Sequence, residues 1–251
     1  MNTSELMEVA LKAGEILLCS GAEIYRVEDT ISRICKNYGV DCESFVLPTG
    51  IFISTGGGKC ESVSLIKRIR ERSVDLHRIE RINEFSRGLQ KKTMSYEEAM
   101  KTLEDIQNTR QYNFITRLVA AGITAFVFTM LFKGNVKEAS AALLISTLIY
   151  LINEKISGIG LFRIFELFVS GVIIGALSLL TVRIIPDLSI YKIIIGSVMI
   201  LVPGVTITNG MRDALHGDIN SSMLRLGEAV FVAAAVGGGV GFMLSIGLLW
   251  V

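Results

Sequence analysis

Around Tyr112 the chain changes solvent. Residues 1–112 carry 16 of the 25 Lys and Arg and 17 of the 24 Asp and Glu, leaving 9 and 7 for residues 113–251. The second stretch is filled instead with apolar runs near the roughly 20 residues that a bilayer-crossing helix needs. Lipid offers no partner to backbone N–H and C=O groups, so runs of this kind fold as helices that satisfy themselves. The distribution predicts an α+β soluble domain over 1–112, followed by an α-helical transmembrane domain over 113–251.

Net charge is −1 in the first stretch and +2 in the second, so neither is basic enough to bind nucleic acid. Cys19, Cys35, Cys42 and Cys60 all fall in the soluble half, widely spaced and with no C-x-x-C pair. That spacing argues against a zinc site. The N-terminus, Met1-Asn2-Thr3-Ser4-Glu5, lacks the basic and apolar regions of a signal peptide. The expectation is a cytoplasmic domain with reduced thiols, and no metal or cofactor.

Within the soluble half, Leu6, Val9, Ala10, Ala13, Ile16 and Leu17 share one helical face, with Ser4 read as the N-cap and Ser20-Gly21 as the end. A second helix carries Val27, Ile31, Ile34, Cys35 and Tyr38 inward and stops at Gly39. Strand-like runs follow at Glu43–Leu47, Gly50–Thr55 and Glu61–Ile66, punctuated by Pro48-Thr49-Gly50 and by Gly56-Gly57-Gly58-Lys59. Leu76, Ile79, Ile82, Phe85 and Leu89 mark a third helix, and Ser95 with Glu98 forms a capping box for a fourth.

Five spans are expected in the second half, near 115–132, 136–152, 164–182, 190–208 and 226–251. With the N-domain inside, the inner flanks hold six Lys and Arg and the outer flanks four, a small margin in the direction of the positive-inside rule.

The fourth span is interrupted by Pro203-Gly204, with Thr206, Asn209, Arg212 and Asp213 after it. Proline removes a backbone donor and glycine frees the dihedrals, so the chain can leave helical geometry there. In transporters such breaks expose backbone groups and half-helix ends to a polar solute. An ordinary kink, or the end of a span, is the structural alternative. Glu166 and Glu228 lie a few residues inside apolar runs and are candidate proton-coupling groups, although Arg163 can simply neutralise Glu166. Glycines at 171, 175, 237, 238, 239 and 241 read as packing surfaces. Gly56–Lys59 lacks the flanking residues of a P-loop. Gly21–Glu28 opens a helix, but its own Glu23 and Glu28 would repel a bound anion.

Several stretches together resemble the threonine/serine exporter family, in its N-terminal-half type. They are Gly14, Ser20-Gly21-Ala22-Glu23, Arg26-Val27-Glu28 and Val46-Leu47-Pro48-Thr49-Gly50-Ile51 in the soluble half. In the membrane half they are Leu201-Val202-Pro203-Gly204, Asn209, Arg212-Asp213, Gly217-Asp218 and Arg225-Leu226. The resemblance implies secondary export of small amino acids, or of a dicarboxylate such as succinate, across a bacterial inner membrane. It also implies that a chain of five spans works in an oligomer with a second, small membrane subunit. Under this reading Pro203 and Gly204 form the helix break, and Thr206, Asn209, Arg212 and Asp213 contact the solute, with the Arg212 fork matched to a carboxylate. Glu23, Arg26, Glu28, Pro48 and Thr49 form the N-domain motif. A membrane solute sensor signalling through its N-domain and a membrane-anchored enzyme are the alternatives. No nucleophile–base pair supports the enzyme.

Overall fold

Local capping chemistry sets the first helix. A computed structural model of the protein describes residues 1–55, 63–109, 112–156 and 163–248. Helix α1 (Thr3–Cys19) is capped by Asn2, not by Ser4 as expected. Asn2 Oδ1 accepts the Glu5 N–H at 2.7 Å, and Glu5 returns the favour to the Asn2 N–H at 2.8 Å. This reciprocal box needs an acceptor side chain three residues on, and three residues beyond Ser4 stands Met7. The helix ends at Ser20, and Gly21 turns the chain with φ +85°. Helix α2 (Ile24–Asn37) follows, ending at Tyr38 before Gly39 at φ +73°.

Strands β1 (Cys42–Leu47), β2 (Gly50–Thr55) and β3 (Ser64–Arg68) form an antiparallel sheet in that order. Leu47 pairs with Gly50, so Pro48 and Thr49 are the two-residue turn of the first hairpin. Residues 56–62, which hold the glycine run, Cys60 and the start of the third expected strand, lie outside the described residues. Helices α3 (Leu76–Gly88) and α4 (Tyr96–Gln107) complete the series, and Ser95 with Glu98 forms the expected capping box. One core joins them. It includes Leu6, Leu17, Ile31, Ile34, Ile51, Ile82, Leu103 and Ile106, all close to fully buried. A Cβ on Gly14 would stand 2.8 Å from Ile31 Cδ1, so this glycine lets α1 and α2 approach. Cys19, Cys35 and Cys42 are free thiols.

The apolar half supplies α5 (Phe114–Leu131), α6 (Val136–Ile156), α7 (Arg163–Ile184), α8 (Ile190–Val198), α9 (Gly204–Leu215) and α10 (Ile219–Leu248). Four of these, α5, α6, α7 and α10, are long and apolar enough to cross a membrane. The fourth expected span is divided differently. Helix α8 has nine residues, about 14 Å at 1.5 Å per residue, against a hydrocarbon core of about 30 Å. The chain then leaves helical geometry before α9 starts at Gly204. The last span begins at Ile219, seven residues ahead of the expected Leu226.

The chain divides into two compact units, and the division is not a single cut. Gly204–Gly227 belongs with Met1–Arg110, while Gln111–Pro203 and Glu228–Val251 form the other unit. In that second unit α7 and α10 pack backbone to backbone. A Cβ on Gly239 would lie 2.1 Å from the Phe168 carbonyl oxygen, and one on Gly171 would lie 2.4 Å from that of Val236. At one end of the same unit, buried Glu138 accepts the N–H of Asn135 at 2.7 Å and that of Ser189 at 2.8 Å, with Lys192 Nζ at 3.7 Å. This carboxylate ties the α5–α6 turn to the start of α8.

Candidate functional site

The corner between α1 and α2 leaves backbone groups that need partners. Gly21 reverses the chain, and Glu23, the N-cap of α2, makes no side-chain cap bond. The first N–H groups of α2 and the carbonyls of Gly21 and Ala22 therefore find their partners elsewhere. They find them in α9 and at the head of α10, about 190 residues away in sequence. Asn209 Nδ2 donates to the Gly21 carbonyl at 2.7 Å. Arg225 Nη2 donates to the Ala22 carbonyl at 2.8 Å. The Ile24 N–H donates to Asp213 Oδ1 at 3.2 Å. Asp213 Oδ2 in turn lies 2.9 Å from Arg225 Nε. Asp213 is fully buried and Arg225 is 3% exposed.

Helical spacing explains how α9 does this. Asn209, Arg212, Asp213 and His216 recur at three- and four-residue intervals and so share one face. Gly210 keeps that face close to the following helix, since a Cβ there would meet Leu226 at 3.1 Å. Although Glu23 and Glu28 were expected to repel an anion from the start of α2, the Ile24 N–H there donates to the carboxylate of the chain's own Asp213, placed at the positive end of the helix dipole.

Glu23 is the second centre of charge. Its Oε1 accepts from Arg212 Nη1 at 2.5 Å, and its Oε2 lies 3.4 Å from Arg26 Nη1. Burial pushes its carboxyl up, but hydrogen bonds from its own backbone N–H and from Arg212, with the charge of Arg26, hold it below the usual glutamate value. Burial pushes Asp213 up, against the opposing pull of Arg225 and the Ile24 N–H. Beside them the rings of Tyr25 and His216 stack at 4.0 Å with 4° between planes.

The lowered Glu23 carboxyl makes the fold sensitive to acid. A depressed folded-state pKa adds stability that is fully present above the unfolded value of about 4.3 and is lost as pH falls through the folded value. Comparing acid unfolding of the wild type with that of Glu23→Gln should show the wild-type advantage at neutral pH shrinking below about pH 4.3. An advantage that grows on acidification would contradict the assignment.

The other expected residues lie as follows. Pro203 directly precedes α9 and Gly204 is its first residue. Thr206 is half-buried in its first turn. Glu28 accepts the Val46 N–H at 3.0 Å and so ties α2 to β1, while the Thr49 carbonyl accepts the Ile69 N–H at 2.9 Å. Glu166 sits in the first turn of α7, where Ser170 Oγ donates to its carbonyl at 2.8 Å, and Glu228 lies within α10. The structure thus gathers Glu23, Arg26, Asn209, Arg212 and Asp213 into one cluster. Tyr25, His216 and Arg225 complete it and were not singled out as site residues. Only Arg225 carried a signal, as part of the Arg225-Leu226 match. Among the described residues, no three His, Cys, Asp or Glu side chains are grouped to hold a metal ion.

Residues 8–247 match the ThrE family model, described as "Putative threonine/serine exporter". A protein of Mycobacterium tuberculosis (strain ATCC 25618 / H37Rv), named "Probable threonine/serine exporter", is 22% identical over 250 residues. That alignment takes in 98% of this chain and 46% of the other, so the chain spans about half the length of this relative. No solved structure matches the chain.

Proposed function

The chain belongs to the threonine/serine exporter family, and on that premise we propose that it is one subunit of a secondary-active exporter. Its cargo is a small amino acid (threonine or serine) or a dicarboxylate such as succinate, and a second small membrane subunit completes the path. The observation that carries this reading is the family match across residues 8–247 in a chain whose described residues include four membrane-length helices. The family and the relative are exporters, which sets the enzyme reading aside.

In this proposal the protein sits in the inner membrane with residues 1–112 as a cytoplasmic domain and 113–251 as the membrane domain. Helix α8 and the non-helical stretch through Pro203 make a fifth, broken crossing. Pro203, Gly204, Thr206, Asn209, Arg212 and Asp213 meet the solute, and Glu166 or Glu228 carries a coupling proton. The sensor alternative draws support from one contact, because Arg212 is bonded to Glu23 of the N-domain.

The test is efflux from cells loaded with threonine, serine or succinate, expressing this chain alone or with a small membrane subunit of the same family. Efflux only with both supports the split exporter. Efflux with the chain alone removes the second subunit from the proposal. No efflux from correctly inserted proteins, with solute binding retained, favours the sensor. Arg212→Ala should lower efflux by about tenfold or more, the loss expected for one charge-assisted hydrogen bond of 1.5–3 kcal/mol, while membrane insertion is unchanged. Efflux at the wild-type rate would remove Arg212 from the solute path.

A further inference from the structure

We propose that Arg26 and Arg212 form a binding site for a small carboxylate, and that Glu23 is the built-in competitor for it. The ligand class rests on the exporter reading; the site rests on the geometry alone.

Two guanidiniums share one carboxylate. Arg212 Nη1 takes Glu23 Oε1, and Arg26 Nη1 lies against Oε2. The carboxylate side chain is 6% exposed, whereas Arg26 is 41% and Arg212 53% exposed. Glu23 is therefore the floor and the arginines are the rim. The charge ratio at this point is two to one. Among the neighbouring carboxylates Asp213 is held by Arg225 and Glu28 accepts from the Val46 N–H, while Asp218 adds negative charge beside both. A guanidinium carries five N–H donors in a planar fork. Each arginine meets Glu23 through Nη1 and is partly exposed, which leaves its other guanidinium N–H groups for a further acceptor. A planar carboxylate can take these in a paired, fork-to-fork manner that a tetrahedral sulfate matches less well.

Such a ligand does more than fill the site. Its negative charge stands beside Glu23 on the same two arginines and repels that carboxylate, which weakens the Arg212–Glu23 bond, one of those joining α9 to the α1–α2 corner. Binding therefore loosens the corner, and by linkage a loosened corner binds the carboxylate more tightly. The cluster acts as a latch that solute releases.

The experiment titrates the full chain in lipid nanodiscs with L-threonine, L-serine and succinate, using sulfate as the control anion. It follows the dissociation constant together with hydrogen exchange at the Ile24 amide. Glu23→Gln removes the competitor's charge and should tighten carboxylate binding by about tenfold. Arg26→Gln should weaken it by about tenfold, each matching the roughly 1.4 kcal/mol of one such contact. Ligand should speed exchange at Ile24 in the wild type. The proposal is overturned if none of the three carboxylates binds the wild type, if sulfate binds as well as they do, or if Arg26→Gln binds unchanged. The last criterion holds even where Glu23→Gln does not fold, because Arg26 lies on the rim. Binding that follows these expectations without efflux sinks the exporter reading alone. Efflux without this binding pattern sinks the latch alone.

Discussion

Replacing Arg225 with alanine should destabilise the first unit by about 3–5 kcal/mol, the range for breaking a buried ion pair from one side. Arg225 and Asp213 are both almost completely shielded from water. Truncation strands the Asp213 carboxylate with only the Ile24 N–H as a described hydrogen-bond donor. It also removes the donor on the Ala22 carbonyl. The size of the loss comes from the abandoned charge, not from the net worth of the pair, because taking both ions out of water was itself unfavourable. A second variant separates the two explanations. Arg225→Met with Asp213→Asn removes both charges at nearly constant volume and keeps an acceptor for the Ile24 N–H, and should recover much of the loss. Denaturant unfolding followed by hydrogen exchange across α2 measures both. A loss below about 1 kcal/mol for Arg225→Ala would mean that water reaches the pair and solvates it.

The second large effect lies between α7 and α10. Gly239→Leu should lower the thermal stability of the membrane unit by an amount at or above the usual 1–3 kcal/mol of overpacking. The reason is the obstacle. The new Cβ would stand 2.1 Å from the Phe168 carbonyl oxygen and 2.9 Å from the Val172 nitrogen, and backbone cannot rotate aside as a side chain can. The helices must separate. In lipid, where no hydrophobic force drives helices together, close packing supplies much of their attraction. Gly237→Leu is the control, because nothing lies within 4 Å of the position its Cβ would take. Melting in detergent should drop for the first variant and stay near wild type for the second. Equal melting temperatures would show that α7 and α10 do not meet at Gly239.

Much of the N-terminal fold was legible because its signals are local. Ser95 and Glu98 specify a cap within four residues, and Pro48-Thr49 between two alternating runs specifies a two-residue hairpin. The Asn2 cap was missed because Ser4 is also a good cap residue, and the decision turns on what lies three positions further on. The start of α10 was placed late for a different reason. Asn220, Ser221, Ser222 and Arg225 are polar, so the uninterrupted apolar run opens only at Leu226, yet Ser221, Ser222 and Arg225 are buried. Their polarity serves contacts that composition does not reveal. The cluster shows the same limit. Both of its halves were visible as motifs, but no periodicity says that Asp213 caps α2, or that Glu23, not a solute, lies against Arg212. Such pairings belong to tertiary structure, where a single charged side chain satisfies a helix end far away in sequence.

The make-up of the first unit bears on how the protein is born. Its closing piece, Gly204–Gly227, is separated from Arg110 by everything from Gln111 to Pro203. At a synthesis rate of about 5–20 residues per second, the ribosome works for on the order of ten seconds between the two parts. During that interval the nascent N-terminal portion exists without Asn209, Asp213 and Arg225. The start of α2 then depends on water, and the unit closes only after residues of the apolar half have left the exit tunnel. Completion of the N-terminal fold is thereby a report that the chain has been made at least as far as Gly227.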